Sequence, residues 1–234
     1  MPVRLSFWRR LLDFILPRHC AVCGRRLTVS ENSICINCTW RLPRTYFQKN
    51  PKENELAQRF WGLIPVENVA ALFYYYPHTP ATRIVLNLKY KEMWNIGVDM
   101  GRIIANDFKD YNFFDGIDAI VPIPITLGRK LKRGYNQSYE IAVGVRQITG
   151  IPIINNAVVR TKFSDSQTQM HAMERKDNVK DAFKLKDASK IKGKHILIID
   201  DVITTGSTIL SCAEVLLSGG VRTFSILSIG YTKS

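Results

Sequence analysis

Two stretches of this sequence hold residue types whose spacing can do chemistry. The first is Cys20-x2-Cys23 and Cys35-x2-Cys38, with eleven residues between the pairs. Two such pairs on tight turns can place four thiolates tetrahedrally around Zn²⁺. Gly24, after the second cysteine, suits the turn because glycine accepts a positive φ. The same cysteines could instead form two disulfides or stay as reduced structural thiols. Disulfides need an oxidising compartment, and the short apolar stretch Leu11–Leu16, interrupted by Asp13, does not read as a secretory signal. Structural zinc held by Cys20, Cys23, Cys35 and Cys38 is therefore the expectation, in a chain expected in the cytoplasm. Cys212, among Leu210, Ala213 and Leu216, reads as a buried structural thiol.

The second stretch runs from Ile196 to Thr208. A buried-type strand leads into Asp200 and Asp201, then Thr204, Thr205, Gly206, Ser207 and Thr208, and then a helix. Open N–H groups at a helix start attract an anion. Gly206 lets backbone approach closely, and the hydroxyls add donors. Adjacent acids would repel a bare phosphate, but they accept hydrogen bonds from vicinal sugar hydroxyls. Together these features describe a site for a ribose with a 5′-phosphate, at the carboxyl end of a strand where α/β folds bind ligands.

The stretch resembles the signature of type I phosphoribosyltransferases, which bind phosphoribosyl pyrophosphate (PRPP). The rest of the chain resembles the ComF family, associated with DNA uptake in naturally competent bacteria. Pro17 with the four-cysteine knuckle carries this resemblance. So do Lys132-Arg133-Gly134-Tyr135-Asn136-Gln137, then Gln169, Glu174-Arg175, Asn178 and Ala182-Phe183. The resemblance implies PRPP with Mg²⁺ as ligand, and possible transfer of phosphoribosyl to a nitrogen acceptor. It implies ribose-handling catalytic acids at Asp200 and Asp201. Thr204, Thr205, Gly206, Ser207, Thr208, Arg133, Gln169 and Arg175 are the implied substrate-binding residues. It also implies a pyrophosphate loop over 124–128 and a closing loop over 163–180. Thr204 stands where hypoxanthine-guanine phosphoribosyltransferases carry an Asp, and threonine cannot act as that acid or base. Hypoxanthine-type salvage is not expected.

The elements that must position these residues follow from periodicity. Strands read over 66–76, 117–124, 155–162, 195–200 and 222–230, and helices over 135–150 and 211–220. Thr79 or Thr82 could cap one long helix over 81–110. Residues 46–62 read as a polar linker. Alternating strands and helices indicate an α/β domain with a mostly parallel sheet. The expected organisation is an amphipathic helix and zinc module over 1–45, a linker and hood-like region over 46–116, and a phosphoribosyltransferase-like core over 117–234.

Of 234 residues, 33 are Lys or Arg and 20 are Asp or Glu, a net charge of +13. Residues 1–50 carry +7 and residues 116–234 carry +7, flanking a segment of −1. Such a balance suits anionic partners, and a well-solvated basic surface is the plainer account. Trp40, Arg41, Arg44, Tyr46 and Phe47 interleave aromatics with cations, as expected for single-stranded DNA; Trp40 and Phe47 could equally pack the module on the body. The alternative to an enzyme is thus a DNA-binding adaptor that uses PRPP as a regulatory ligand. The resemblance adds competence-machinery proteins as partners. Leu5, Trp8, Leu11, Leu12, Ile15 and Leu16 have helical spacing within 4–16. That helix could pack on the body, on a partner or on the membrane's inner face; packing on the body is the commoner outcome.

Overall fold

The computed structural model describes residues 16–77, 79–90, 93–161 and 182–233. The amphipathic segment 4–16, apart from the exposed Leu16, lies outside the described residues. So does the whole of the expected closing loop over 163–180.

The frame is a four-stranded parallel sheet. Its strands are β1 (Val66–Tyr74), β2 (Ala119–Pro122), β5 (His195–Ile203) and β6 (Thr223–Tyr231), in the order β1-β6-β5-β2. The central pair β5 and β6 is buried almost throughout, as strands covered on both faces are. β3 (Val158–Arg160) and β4 (Phe183–Leu185) pair antiparallel in a separate two-stranded sheet. They bracket residues 161–182.

The described helices are α1 (Ile36–Trp40), α2 (Pro80–Tyr90), α3 (Trp94–Phe108), α4 (Leu127–Arg133), α5 (Gln137–Thr149) and α6 (Ser207–Ser218). α5 packs on β2 and β5 and also against α3. Where α3 and α5 cross, the backbones nearly touch: a Cβ on Gly144 would lie 2.0 Å from the Val98 carbonyl oxygen. α6 packs with β3 and β4.

Two expectations need correction. The single helix over 81–110 is two helices, α2 and α3. The apolar period continues from Leu88 to Ile96 across the break, so pattern alone joins them. Residues 46–62 are not a solvated linker. Phe47, Leu56, Ala57 and Phe60 are buried. Asn54, polar and buried, accepts from the Leu56 and Ala57 N–H groups and donates to the Val69 carbonyl at 2.9 Å. The segment therefore folds onto β1, and its Phe60 ring ends against Gly206.

Candidate substrate-binding site and metal centre

The four cysteine sulfurs lie within 4.8 Å of one another, and all four thiols are free of disulfides. Gly24, at φ +75°, closes the first turn by donating its N–H to the Cys20 carbonyl at 2.9 Å. Cys35 caps α1 and accepts from the Cys38 N–H at 3.4 Å. Cys20 Sγ accepts from the N–H groups of Val22 and Cys35 at 3.4 and 3.3 Å. Zn–S bonds of about 2.3 Å in a tetrahedron require sulfurs about 3.8 Å apart. Cys23 and Cys35 Sγ stand at 3.8 Å. Burial opposes ionisation of Cys35, but hydrogen bonds from Arg25 and from Cys38 outweigh it and bring that thiol down to about 6. Burial and the neighbouring sulfurs push Cys38 up. Geometry and donor chemistry fit a four-sulfur zinc site in which Arg25, also paired with Glu31, offsets thiolate charge.

The knuckle is fastened to the body. Asp99 of α3, buried, accepts from the backbone N–H of Ser33 at 2.9 Å and from its hydroxyl. Cys20, Val22, Ile34 and Cys35 belong to the same apolar core as the sheet.

At the carboxyl end of β5, Asp200 Oδ1 accepts from the Asp201 N–H at 2.8 Å and from the Ser138 hydroxyl at 3.1 Å. Asp201 Oδ2 pairs with Lys89 Nζ at 2.9 Å. Burial, then repulsion from Asp201, raises the Asp200 carboxyl to about 7. The chain then turns through Thr204 and Thr205 to Gly206, which sits at φ +85° and starts α6. Phe60 leaves no easy room for a side chain at Gly206: a Cβ would stand 3.1 Å from its ring. Thr205 Oγ1 lies 3.0 Å from Ser207 Oγ. Arg59 donates to the Thr204 carbonyl and stacks on Tyr231 at 5.0 Å. Cys212 lies fully buried beneath, its thiol pushed up by burial and by Asp200.

Lys89, the ion-pair partner of Asp201, also stands on a cationic wall. Lys89, Tyr90, Arg129, Lys132 and Arg133 line a cavity of about 280 Å³. Arg133 stacks on Tyr90 at 5.6 Å and donates to Gln137 at 3.1 Å. Gly134, at φ +77°, ends α4. Asn136 then caps α5 and ties it to the Ile123 carbonyl at 2.9 Å. The Lys132–Gln137 motif is thus the corner that joins the cationic helix to Ser138 and the acids.

The structure places Asp200, Asp201, Thr204, Thr205, Gly206, Ser207 and Thr208 on one strand, turn and helix start. Arg133 stands on the cavity that Lys89 shares. Gln169 and Arg175 lie outside the described residues. Sequence reasoning missed Ser138, Lys89, Arg59 and Arg160. Arg160, on β3, is held below its ordinary value by burial and by Arg129, while Asp200 acts the other way. Only Ser138 carried a signal, since it follows the Lys132–Gln137 motif.

The sequence profile of the phosphoribosyl transferase domain matches residues 136–230. The chain is 27% identical over 237 residues to the DNA utilization protein YhgH of Escherichia coli (strain K12), covering 97% of this chain and 92% of that protein. It is 28% identical over 151 residues to competence protein F of Haemophilus influenzae, covering 63% of this chain and 66% of that one. Among solved structures, glutamine PRPP amidotransferase from B. subtilis complexed with ADP and GMP is 15% identical with a TM-score of 0.44, over 62% of this chain and 30% of that one. Purine phosphoribosyltransferase from Pyrococcus horikoshii is 15% identical with a TM-score of 0.36, over 58% and 83%.

Proposed function

We propose that this chain, which belongs to the ComF family, binds PRPP with Mg²⁺ at residues 200–208. The observation that carries the reading is the pair Asp200 and Asp201 directly before the Thr204–Thr208 turn, with Asp201 ion-paired to Lys89, one of four cations lining a cavity. In this reading Asp200 and Asp201 accept from the ribose hydroxyls. The turn receives the 5′-phosphate through backbone N–H groups and hydroxyls at the start of α6. Lys89, Arg129, Lys132 and Arg133 face the pyrophosphate. Gln169 and Arg175 are proposed as further contacts from the segment between β3 and β4. Mg²⁺, carried in with the diphosphate, would supply further neutralisation of its charge.

If a nitrogen acceptor is present, the chemistry is displacement of pyrophosphate from the anomeric carbon. That centre gains positive charge as the bond breaks, and the two carboxylates favour it while the cations favour the departing diphosphate. Thermal denaturation with and without PRPP and Mg²⁺ tests the binding. PRPP should raise Tm by mass action, and Asp200→Asn with Asp201→Asn should remove that rise. A double variant that responds like the parent would refute the ribose assignment. Pyrophosphate release across a panel of bases and amines tests turnover.

A second reading is favoured by one observation at the zinc module. Trp40 is 79% exposed and Tyr46 57% exposed, beside a groove of about 680 Å³ that also includes Arg44 and Lys49. Trp40 therefore does not pack the module on the body, whereas Phe47 does, against Tyr74 and Tyr231. The groove suits single-stranded DNA, with bases on the aromatic faces and phosphates near Arg41 and Lys49. Arg44 is partly committed to Asp107 at 2.6 Å. This reading accords with a role in DNA uptake alongside competence proteins. A salt-dependent binding titration with single strands tests it, and affinity unaltered in Trp40→Ala and in Arg41→Ala would move any contact elsewhere.

A further inference from the structure

Helix α2 touches both chemical ends of the molecule. Its Asn87, buried, donates to the Ala21 carbonyl, and its Arg83 donates to the Val22 carbonyl at 2.8 Å. Ala21 and Val22 are the two residues between Cys20 and Cys23, so α2 grips the knuckle's own backbone. Two residues after Asn87, Lys89 reaches Asp201 at 2.9 Å. Between them, the Leu88 carbonyl accepts from the hydroxyl of Tyr135. Tyr135 lies in the corner that leads to Ser138 and Asp200.

Lys89 also faces two ways. On one side it offsets the charge of Asp201, and on the other it lines the cavity with Arg129, Lys132 and Arg133. If α2 moved away from the knuckle's place, the cation would be carried away from both. The grip would be lost if the knuckle opened, because a buried Asn87 would then lack its carbonyl and α2 would have to resettle.

We propose that the four-cysteine knuckle fixes the place of Lys89, a cation of the PRPP site, through α2, so that loss of the knuckle's metal weakens PRPP binding. The inference rests on reading residues 200–208 as a PRPP site. Coupling between two sites is reciprocal, so PRPP must also raise the knuckle's affinity for the metal. The link depends on hydrogen bonds at Asn87 and Arg83 and on the charge at Lys89, and each can be altered separately.

The experiment is a calorimetric titration of PRPP with Mg²⁺ into the full zinc-loaded chain, repeated after chelation, with the zinc retained at equilibrium against a competing chelator measured in parallel. The chelated protein should bind PRPP about 5-fold or more weakly, the lower end of ordinary coupling between sites. PRPP should increase the fraction of zinc the parent retains against the chelator. Asn87→Ala, folded and still holding zinc, should bind PRPP more weakly and lose most of the difference made by chelation. Lys89→Met should bind weakly with zinc retained, and Lys89→Arg should restore affinity, which a merely space-filling role would not give. Equal PRPP affinity in loaded and chelated protein would overturn the coupling while leaving the PRPP reading intact. If chelation unfolds the chain, unchanged affinity in zinc-loaded Asn87→Ala overturns it instead. Parent-like affinity in Lys89→Met would overturn the role of Lys89. A zinc-loaded parent that ignores PRPP would overturn both readings.

Discussion

Asp200 is costly to the fold without ligand, and replacing it should stabilise the protein while disabling it. Burial and the neighbouring Asp201 raise its carboxyl from 3.8 to about 7. One pKa unit corresponds to about 1.4 kcal/mol, so the shift represents on the order of 4 kcal/mol. Its sign follows from which state ionises first. Below about pH 4 the carboxyl is protonated in both states and nothing is lost. Between about 4 and 7 the unfolded chain ionises first, and stability falls as pH rises. Above 7 the full penalty remains. Asparagine cannot ionise, and its carbonyl can still accept from Ser138 and the Asp201 N–H, the two bonds Asp200 Oδ1 now accepts. Asp200→Asn should therefore raise Tm at pH 8 by several degrees, since about 1 kcal/mol moves a chain of this size by roughly 2–4 °C. At pH 4.5 it should gain little. The same variant should lose the PRPP-induced rise in Tm, an exchange of stability for function. Thermal denaturation at pH 4.5, 6 and 8 without PRPP reads the result. No gain at pH 8, or an equal gain at pH 4.5, would refute the assignment of burial and repulsion to Asp200.

Gly144→Ala would drive a Cβ to 2.0 Å from the Val98 carbonyl oxygen, forcing α3 off α5. It should cost about 1–3 kcal/mol or more, read by chemical denaturation, and a variant as stable as the parent would contradict the close crossing. Cys35→Ser should release bound zinc, as metal analysis would show. Because Cys20, Val22, Ile34 and Cys35 share the core of the sheet, it should also lower the main calorimetric transition rather than melt the module alone. Trp40→Ala should weaken single-strand binding by roughly 1–3 kcal/mol per stacked base at every salt concentration. Its Tm should stay unchanged, since Trp40 is exposed.

The sites were legible where their residues are neighbours in sequence. Strand, acids, turn and helix start occupy 196–208 without interruption, and the cysteine pairs carry metal spacing in the sequence itself. What stayed hidden was brought in by tertiary contact. Lys89 lies more than a hundred residues before Asp201, and in its helix it reads as one more solvated cation. Arg59 falls within a segment whose composition is polar, and Phe47, Leu56 and Phe60 there follow no period that would announce a buried face. The break between α2 and α3 stayed hidden for the opposite reason, because the apolar period runs straight through it.

Helix α4 argues that local conflict marks the anion site. Its seven residues include Arg129, Lys130, Lys132 and Arg133, and none of the seven is buried. Arg129 faces Lys132 and Arg133 at the i,i+3 and i,i+4 spacings, where like charges destabilise a helix. No apolar face offsets this: Leu127 and Leu131 are 62% and 78% exposed. The helix is held at its ends instead, by the Thr126 cap and by Gly134, and sideways by Arg133 on Tyr90 and Gln137. At the end of β5, Asp200 and Asp201 repel each other, with Lys89 as the ion-pair partner of Asp201. A sequence shaped for stability alone would remove both conflicts. The proposed ligand answers both at once: its diphosphate neutralises the cations of α4, and its ribose hydroxyls satisfy the acids of β5.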